Sequence, residues 1–157
     1  MQVKEIMTSN PSHCTPYWTV EAVAALMDHA GTGIVPVVEE VLHRRLIGVV
    51  TDRDLCLRVV GPGKYPAHTW ISECMTQHPT CCHPEDNLET ALQLMRDKQV
   101  RRLPVVDEQM CLRGMLSISD FIRSEQIEMK LLYAALRDIC RRSSSLIAPN
   151  TSLPNAA

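Results

Sequence analysis

The strongest constraint on this chain is that it matches itself. Displaced by 68 positions, residues 3–38 (VKEIMTSNPSHCTPYWTVEAVAALMDHAGTGIVPVV) lie over residues 71–106 (ISECMTQHPTCCHPEDNLETALQLMRDKQVRRLPVV), and twelve of the 36 positions are identical. The identities include Met7-Thr8 with Met75-Thr76, Pro11 with Pro79, Pro16 with Pro84, and two Pro-Val-Val runs. A two-residue gap after Val38 and Val106 then aligns GVVTDRDL (48–55) with GMLSISDF (114–121). A unit this small cannot readily bury its own apolar faces. Two copies are therefore expected to pack about a pseudo-two-fold axis, leaving clefts between them where pockets tend to form.

Each copy has the same internal order. Thr19 and Asn87 stand where helix N-caps are expected. Behind them Val20, Val23, Ala24 and Met27 match Leu88, Ala91, Leu92 and Met95 at i, i+3, i+4, i+7, one apolar helical face. Two short apolar runs follow in each copy, Ile34–Val38 with Leu46–Val50 and Leu103–Val106 with Cys111–Leu116, which read as hairpins. A second helix starts at Thr51 or Ser117, and a short first strand is expected near Ser12–Cys14 or Thr80–Cys82. The fold class is α+β: two β-α-β-β-α repeats and a C-terminal helix.

The chain then divides into a first repeat at 1–60, a linker at 61–70 punctuated by Gly and Pro, and a second repeat at 71–124. A helix at 125–142 and a disordered tail at 143–157 follow. The helix carries a stripe of Leu131, Leu132, Ala135, Leu136 and Ile139, wide enough to pack on its own module or on a partner. Because the repeated core is complete at Phe121, a dimer contact is expected.

Composition narrows the function. Sixteen Lys and Arg against 18 Asp and Glu give a formal charge of −2, and aromatics are 4%, which argues against a nucleic-acid surface. The N-terminal MQVKEIMTSN lacks the apolar run of a signal peptide, and no stretch approaches the roughly 20 apolar residues that span a bilayer. A cytoplasmic protein without a membrane partner is expected. The seven cysteines, an odd number, read as reduced thiols rather than a disulfide framework.

The repeated Thr51-x-x-Asp54 and Ser117-x-x-Asp120 admit two readings. They have the spacing of a capping box, in which hydroxyl and carboxylate satisfy the first helical turn. They also suit a nucleotide, because a helix N-terminus attracts phosphate and a carboxylate one turn on can accept from ribose hydroxyls. Gly48 and Gly114 would let the backbone come close.

The duplication, the Met-Thr openings, IVPVV and RLPVVD, and GVVTDRD and GMLSISD together resemble a tandem pair of CBS domains, a Bateman module, over about residues 1–124. The resemblance implies a disc-like, often dimeric module that binds AMP, ADP, ATP, S-adenosylmethionine or NAD and regulates another protein. It places Thr51 and Ser117 on phosphate and Asp54 and Asp120 on ribose. Backbone around Ile34–Val35 and Arg102–Leu103 would line the base pocket, and Arg101 and Arg102 would reach phosphates. The copies are unequal: Gly33-Ile34 stands where the second has Arg101-Arg102, and Arg53 is matched by Ser119. The phosphate-rich cleft is expected where Arg101 or Arg102 reaches; sequence does not say which hydroxyl–Asp pair shares it.

With no fused enzyme domain, the expected protein is a non-enzymatic homodimer acting on a regulated protein in trans. The alternatives are a ligand-free dimerisation or scaffold module, or a thiol or metal sensor built on Cys74, Cys81 and Cys82 with His78 and His83 nearby. Against a metal, adjacent Cys81 and Cys82 on a strand should face opposite ways. No G-x-S-x-G, P-loop or H-E-x-x-H supports catalysis.

Overall fold

A computed structural model describes residues 1–141. The tail expected to be disordered at 143–157 lies outside the described residues, as does Arg142. The elements in order are β1 (Thr8–Ser9), α1 (Val20–Ala30), β2 (Ile34–Val38), β3 (Leu46–Thr51) and α2 (Asp52–Leu55, continuing as a π-type turn through Val60). Then come β4 (Thr76–Gln77), α3 (Leu88–Lys98), β5 (Arg102–Val106), β6 (Leu112–Ser117), α4 (Ile118–Ser124) and α5 (Met129–Cys140). The fold is the expected mixed one, two repeats about a pseudo-two-fold axis with a C-terminal helix.

The helices follow from caps and apolar spacing. Thr19 Oγ1 accepts from Ala22 N at 3.2 Å, and Asn87 Oδ1 from Glu89 N at 2.9 Å. At the other ends Gly31 and Gln99 take the same left-handed conformation, with φ of 60° and 53°. Between these caps α1 buries Val20, Val23 and Met27, and α3 buries Leu88, Ala91, Leu92 and Met95. One valine of the buried Pro-Val-Val run in each hairpin, Val37 or Val105, packs with these helices in separate cores. A third, smaller cluster of Val38, Leu46, Val106 and Leu112 joins the two hairpins near their tips.

The repeats exchange their opening segments. β1 of the first repeat pairs antiparallel with β6 of the second, Thr8 opposite Met115 and Ser9 opposite Gly114. Reciprocally, β4 of the second repeat pairs with β3 of the first, Gly48 opposite Gln77 and Val49 opposite Thr76. Val3, just before β1, is buried in the core of the second repeat, while Ile71, just before β4, is buried in that of the first. Val3 N donates to Asp86 O at 2.9 Å and Ile71 N to Trp18 O at 2.9 Å, fixing both crossings. The opening strands thus lie earlier than the expected Ser12–Cys14 and Thr80–Cys82. Those stretches make only single parallel bridges, Cys14 to Val37 and Cys82 to Val105.

The exchange gives Gly48 and Gly114 a different purpose from the one expected. A Cβ at Gly48 would stand 2.8 Å from Thr76 O, and one at Gly114 would stand 2.5 Å from Met7 Sδ and 3.0 Å from Thr8 O. The close approach they permit is that of the incoming strand from the other repeat, not of a ligand.

Of the two packings open to the last helix, the structure shows the one on its own module. α5 begins at Met129, after Glu125 closes α4 with a φ of 55°. Its Leu132, Ala135 and Ile139 are buried in the second repeat's own core, against Leu88, Leu92 and Met95 of α3. Arg96 Nε meets Asp138 Oδ2 at 2.7 Å, and Gln99 Nε2 donates to Asp138 O at 3.2 Å. The stripe covers its own module because α3 still has an apolar flank there; Leu94 and Val100 pack on the same core.

Candidate functional site

The two hydroxyl–Asp pairs form as capping boxes. Thr51 N and Oγ1 both donate to Asp54 Oδ2, at 3.0 and 2.7 Å, and Asp54 N donates back to Thr51 Oγ1 at 3.1 Å. In the second copy Ser117 N and Oγ donate to Asp120 Oδ2 at 2.7 and 2.6 Å. Each strand (β3 or β6) runs straight into its helix, so the hydroxyl ends the strand and the carboxylate sits in the first turn.

The carboxylates differ in their second partner. Asp54 Oδ1 lies 3.5 Å from Arg58 Nη2, whose other nitrogen donates to Cys74 O at 2.8 Å and Met75 O at 3.0 Å. Asp120 Oδ1 takes Arg123 Nη2 at 2.5 Å and is the more buried of the two. Asp54 therefore keeps more of its Oδ1 capacity for another donor.

Two clefts lie between the repeats. The larger, about 850 Å³, is lined by Thr51, Asp52, Arg53 and Asp54 on one side and by Val100, Arg101, Arg102 and Pro104 on the other. His78 and Thr80, from the segment after β4, and Gln99 complete it. The smaller, about 440 Å³, holds Ser117, Asp120 and Arg123 against Thr32, Ile34 and Pro36, with Asn10 and Ser12 after β1. Both volumes fall in the usual range for small-molecule sites. Each cleft combines the hydroxyl–Asp pair of one repeat with the proline-bearing strand of the other. The hydroxyl–Asp pair facing Arg101 is thus Thr51 and Asp54.

Among the residues expected from sequence, Thr51, Asp54, Arg53, Arg101, Arg102 and Ile34 line the larger cleft, and Ser117, Asp120, Arg102 and Ile34 the smaller. Val35 and Leu103 do not line either. Strand alternation turns their side chains the other way, and both are fully buried in the cores. Sequence reasoning missed Asp52, His78 and Arg123. His78 and its counterpart Asn10 share a left-handed backbone, φ 49° in each, which bends the chain from the exchanged strand into the cleft wall. Their matched positions in the repeat were the available signal.

The thiols sit elsewhere. Cys14 and Cys74 belong to the first core and Cys82 to the second. Burial pushes the thiols of Cys14 and Cys82 up to about 12 and that of Cys81 to about 11, and it raises Cys74. Among the described residues no group of three His, Cys, Asp or Glu is placed to hold a metal ion.

The model of the CBS domain matches residues 3–61 and 71–126, and the chain belongs to that family. It is 35% identical over 138 residues to the Bacillus subtilis protein YlbB, covering 88% of this chain and 90% of that one. It is 37% identical over 118 residues to the CBS domain-containing protein YhcV of the same organism, covering 75% and 81% respectively. Among solved structures it resembles CBSX2, a CBS-pair protein from Arabidopsis thaliana, in complex with AMP. That match has a TM-score of 0.68 at 28% identity over 79% of this chain and 95% of the other.

Proposed function

We propose that this chain is a regulatory module that senses an adenosine nucleotide in the clefts between its repeats. The observation that carries the reading is the larger cleft, where Thr51, Arg53 and Asp54 face Arg101 and Arg102 across about 850 Å³. There the hydroxyl and the cations meet phosphate, and Asp54 accepts from the ribose. The family and the AMP complex of CBSX2 support an adenosine ligand; AMP, ADP, ATP, S-adenosylmethionine and NAD are the candidates. Binding shifts the placement of the repeats through unequal affinity for two arrangements, and so acts on a regulated protein in trans. In this reading the module works as a cytoplasmic homodimer and catalyses nothing.

A ligand-free scaffold is the second reading, and the completed capping boxes favour it, since Thr51 and Ser117 already have partners. A thermal-shift titration decides. A nucleotide at about 100 times its Kd adds roughly 2.7 kcal/mol to the folded state. Arg101→Ala, which touches no cap, is expected to weaken binding about tenfold, as loss of a charged hydrogen bond does, while leaving the Tm of the free protein unchanged. No shift with any of the five candidates would leave the scaffold.

A further inference from the structure

Arg102 and Ile34 open matched strands, β5 and β2, and each of them lines both clefts. The wall between the clefts is therefore shared, with an apolar side chain at one of its two equivalent places and a guanidinium at the other. Arg102 is exposed, and among the described residues its guanidinium has no ion pair.

The two clefts depend on it unequally. The larger also has Arg53 and Arg101, both exposed and neither lining the smaller cleft. In the smaller, the other cation is Arg123, which Asp120 already holds. A phosphate entering the smaller cleft must therefore draw on Arg102, while one in the larger gains from it but has two other arginines.

We propose that the clefts are negatively coupled through Arg102, so that a phosphate-bearing nucleotide in one weakens the binding of a second in the other. A guanidinium presents a rigid planar fork, and turning it to one phosphate takes it from the other. The coupling is reciprocal, as any binding linkage is. It acts on phosphate, so uncharged adenosine is exempt. The proposal rests on the nucleotide reading above.

The test is methyl NMR on the full chain, titrated with AMP and, separately, with adenosine. The Met115 methyl reports the smaller cleft and the Val49 methyls the larger. Thr80→Trp is used to fill the larger cleft, silence at Val49 confirming the block and methyl dispersion the fold. If the tryptophan is not tolerated, Arg101→Glu at an exposed position repels phosphate from that cleft instead.

With the larger cleft closed, the Kd for AMP read at Met115 is expected to fall about fivefold or more. In the Arg102→Met background the same closure is expected to change nothing, and adenosine read at Met115 is expected to bind alike in all variants. A Kd at Met115 indifferent to closure, or one that falls equally in Arg102→Met as bare phosphate repulsion would make it, overturns the coupling alone. So does a Met115 signal that never moves while Val49 saturates. Silence at both reporters in the unsubstituted protein would overturn the nucleotide reading, and the coupling with it.

Discussion

The first repeat carries Gly33 where the second carries Arg101, and the exchange reaches beyond one side chain. A Cβ at Gly33 would stand 2.6 Å from Asp52 Oδ2, so the missing side chain makes room for a carboxylate. At the place matching Asp52 the second repeat has Ile118, which is buried, and Arg101 projects into solvent instead. Both departures, Asp52 and Arg101, arrive in the same larger cleft because each cleft draws on both repeats. The backbone frame of the two halves is the same; the charge has diverged where they meet. Duplication thus supplies a symmetric scaffold, and a few substitutions near the axis make its two sites chemically different.

If the cores are truly equivalent, the matched thiols Cys14 and Cys82 should behave alike, and the largest effect is expected there. Burial raises both from 9.0 to about 12. A raised thiol favours the folded state fully below the unfolded pKa, near 9, and that contribution is lost as pH climbs towards 12. Equilibrium unfolding is expected to show stability falling through this window. Cys14→Ala and Cys82→Ala should each flatten the fall by a similar amount; a flattening in one alone would show that the cores are unlike.

Next comes the exchange itself. Gly48→Ala and Gly114→Ala press a methyl onto the incoming segment, and each is expected to cost about 1–3 kcal/mol in urea denaturation, as overpacking does. A silent Gly48→Ala beside a damaging Gly114→Ala would mean that one crossing is looser than its mate.

The smallest effect separates the helix ends. Gly31 adopts a left-handed C-cap freely, whereas Gln99 holds the same shape with a side chain. Gly31→Ala should lower stability by about 1 kcal/mol. Gln99→Gly should raise it by less, because the bond to Asp138 O is given up. Equal and opposite changes would mean that this bond contributes nothing to stability.

Much of this architecture was legible in the residues. The self-match, the i, i+3, i+4, i+7 faces of α1 and α3, the caps at Thr19 and Asn87 and the paired hairpins all depend on local spacing, and local spacing is written in the sequence. The crossings were not. Thr8–Ser9 and Thr76–Gln77 are two residues each, too short for any alternation, and either sheet would accept either strand equally well by pattern. For the same reason the partner of Arg101 across the cleft stayed open, since that depends on which edges face. The stripe on α5 showed that one face is covered without showing by what, and the free flank of α3 became visible only once the core was assembled. Gly48 and Gly114 were correctly read as points of close approach, but the approaching backbone lay in the other repeat.

The exchange also sets the order in which a nascent chain can finish folding. As the chain leaves the ribosome, α1 and the first hairpin are made early, but their core lacks Ile71 and their sheet lacks β4. Val3 and β1 must wait longer still, until β6 at Leu112–Ser117 has emerged. At roughly 5–20 residues per second β1 remains unpaired for several seconds of synthesis. Neither half can be completed and released before the other. The module therefore folds late and all together, and a truncated product leaves exposed apolar surface for quality control to find.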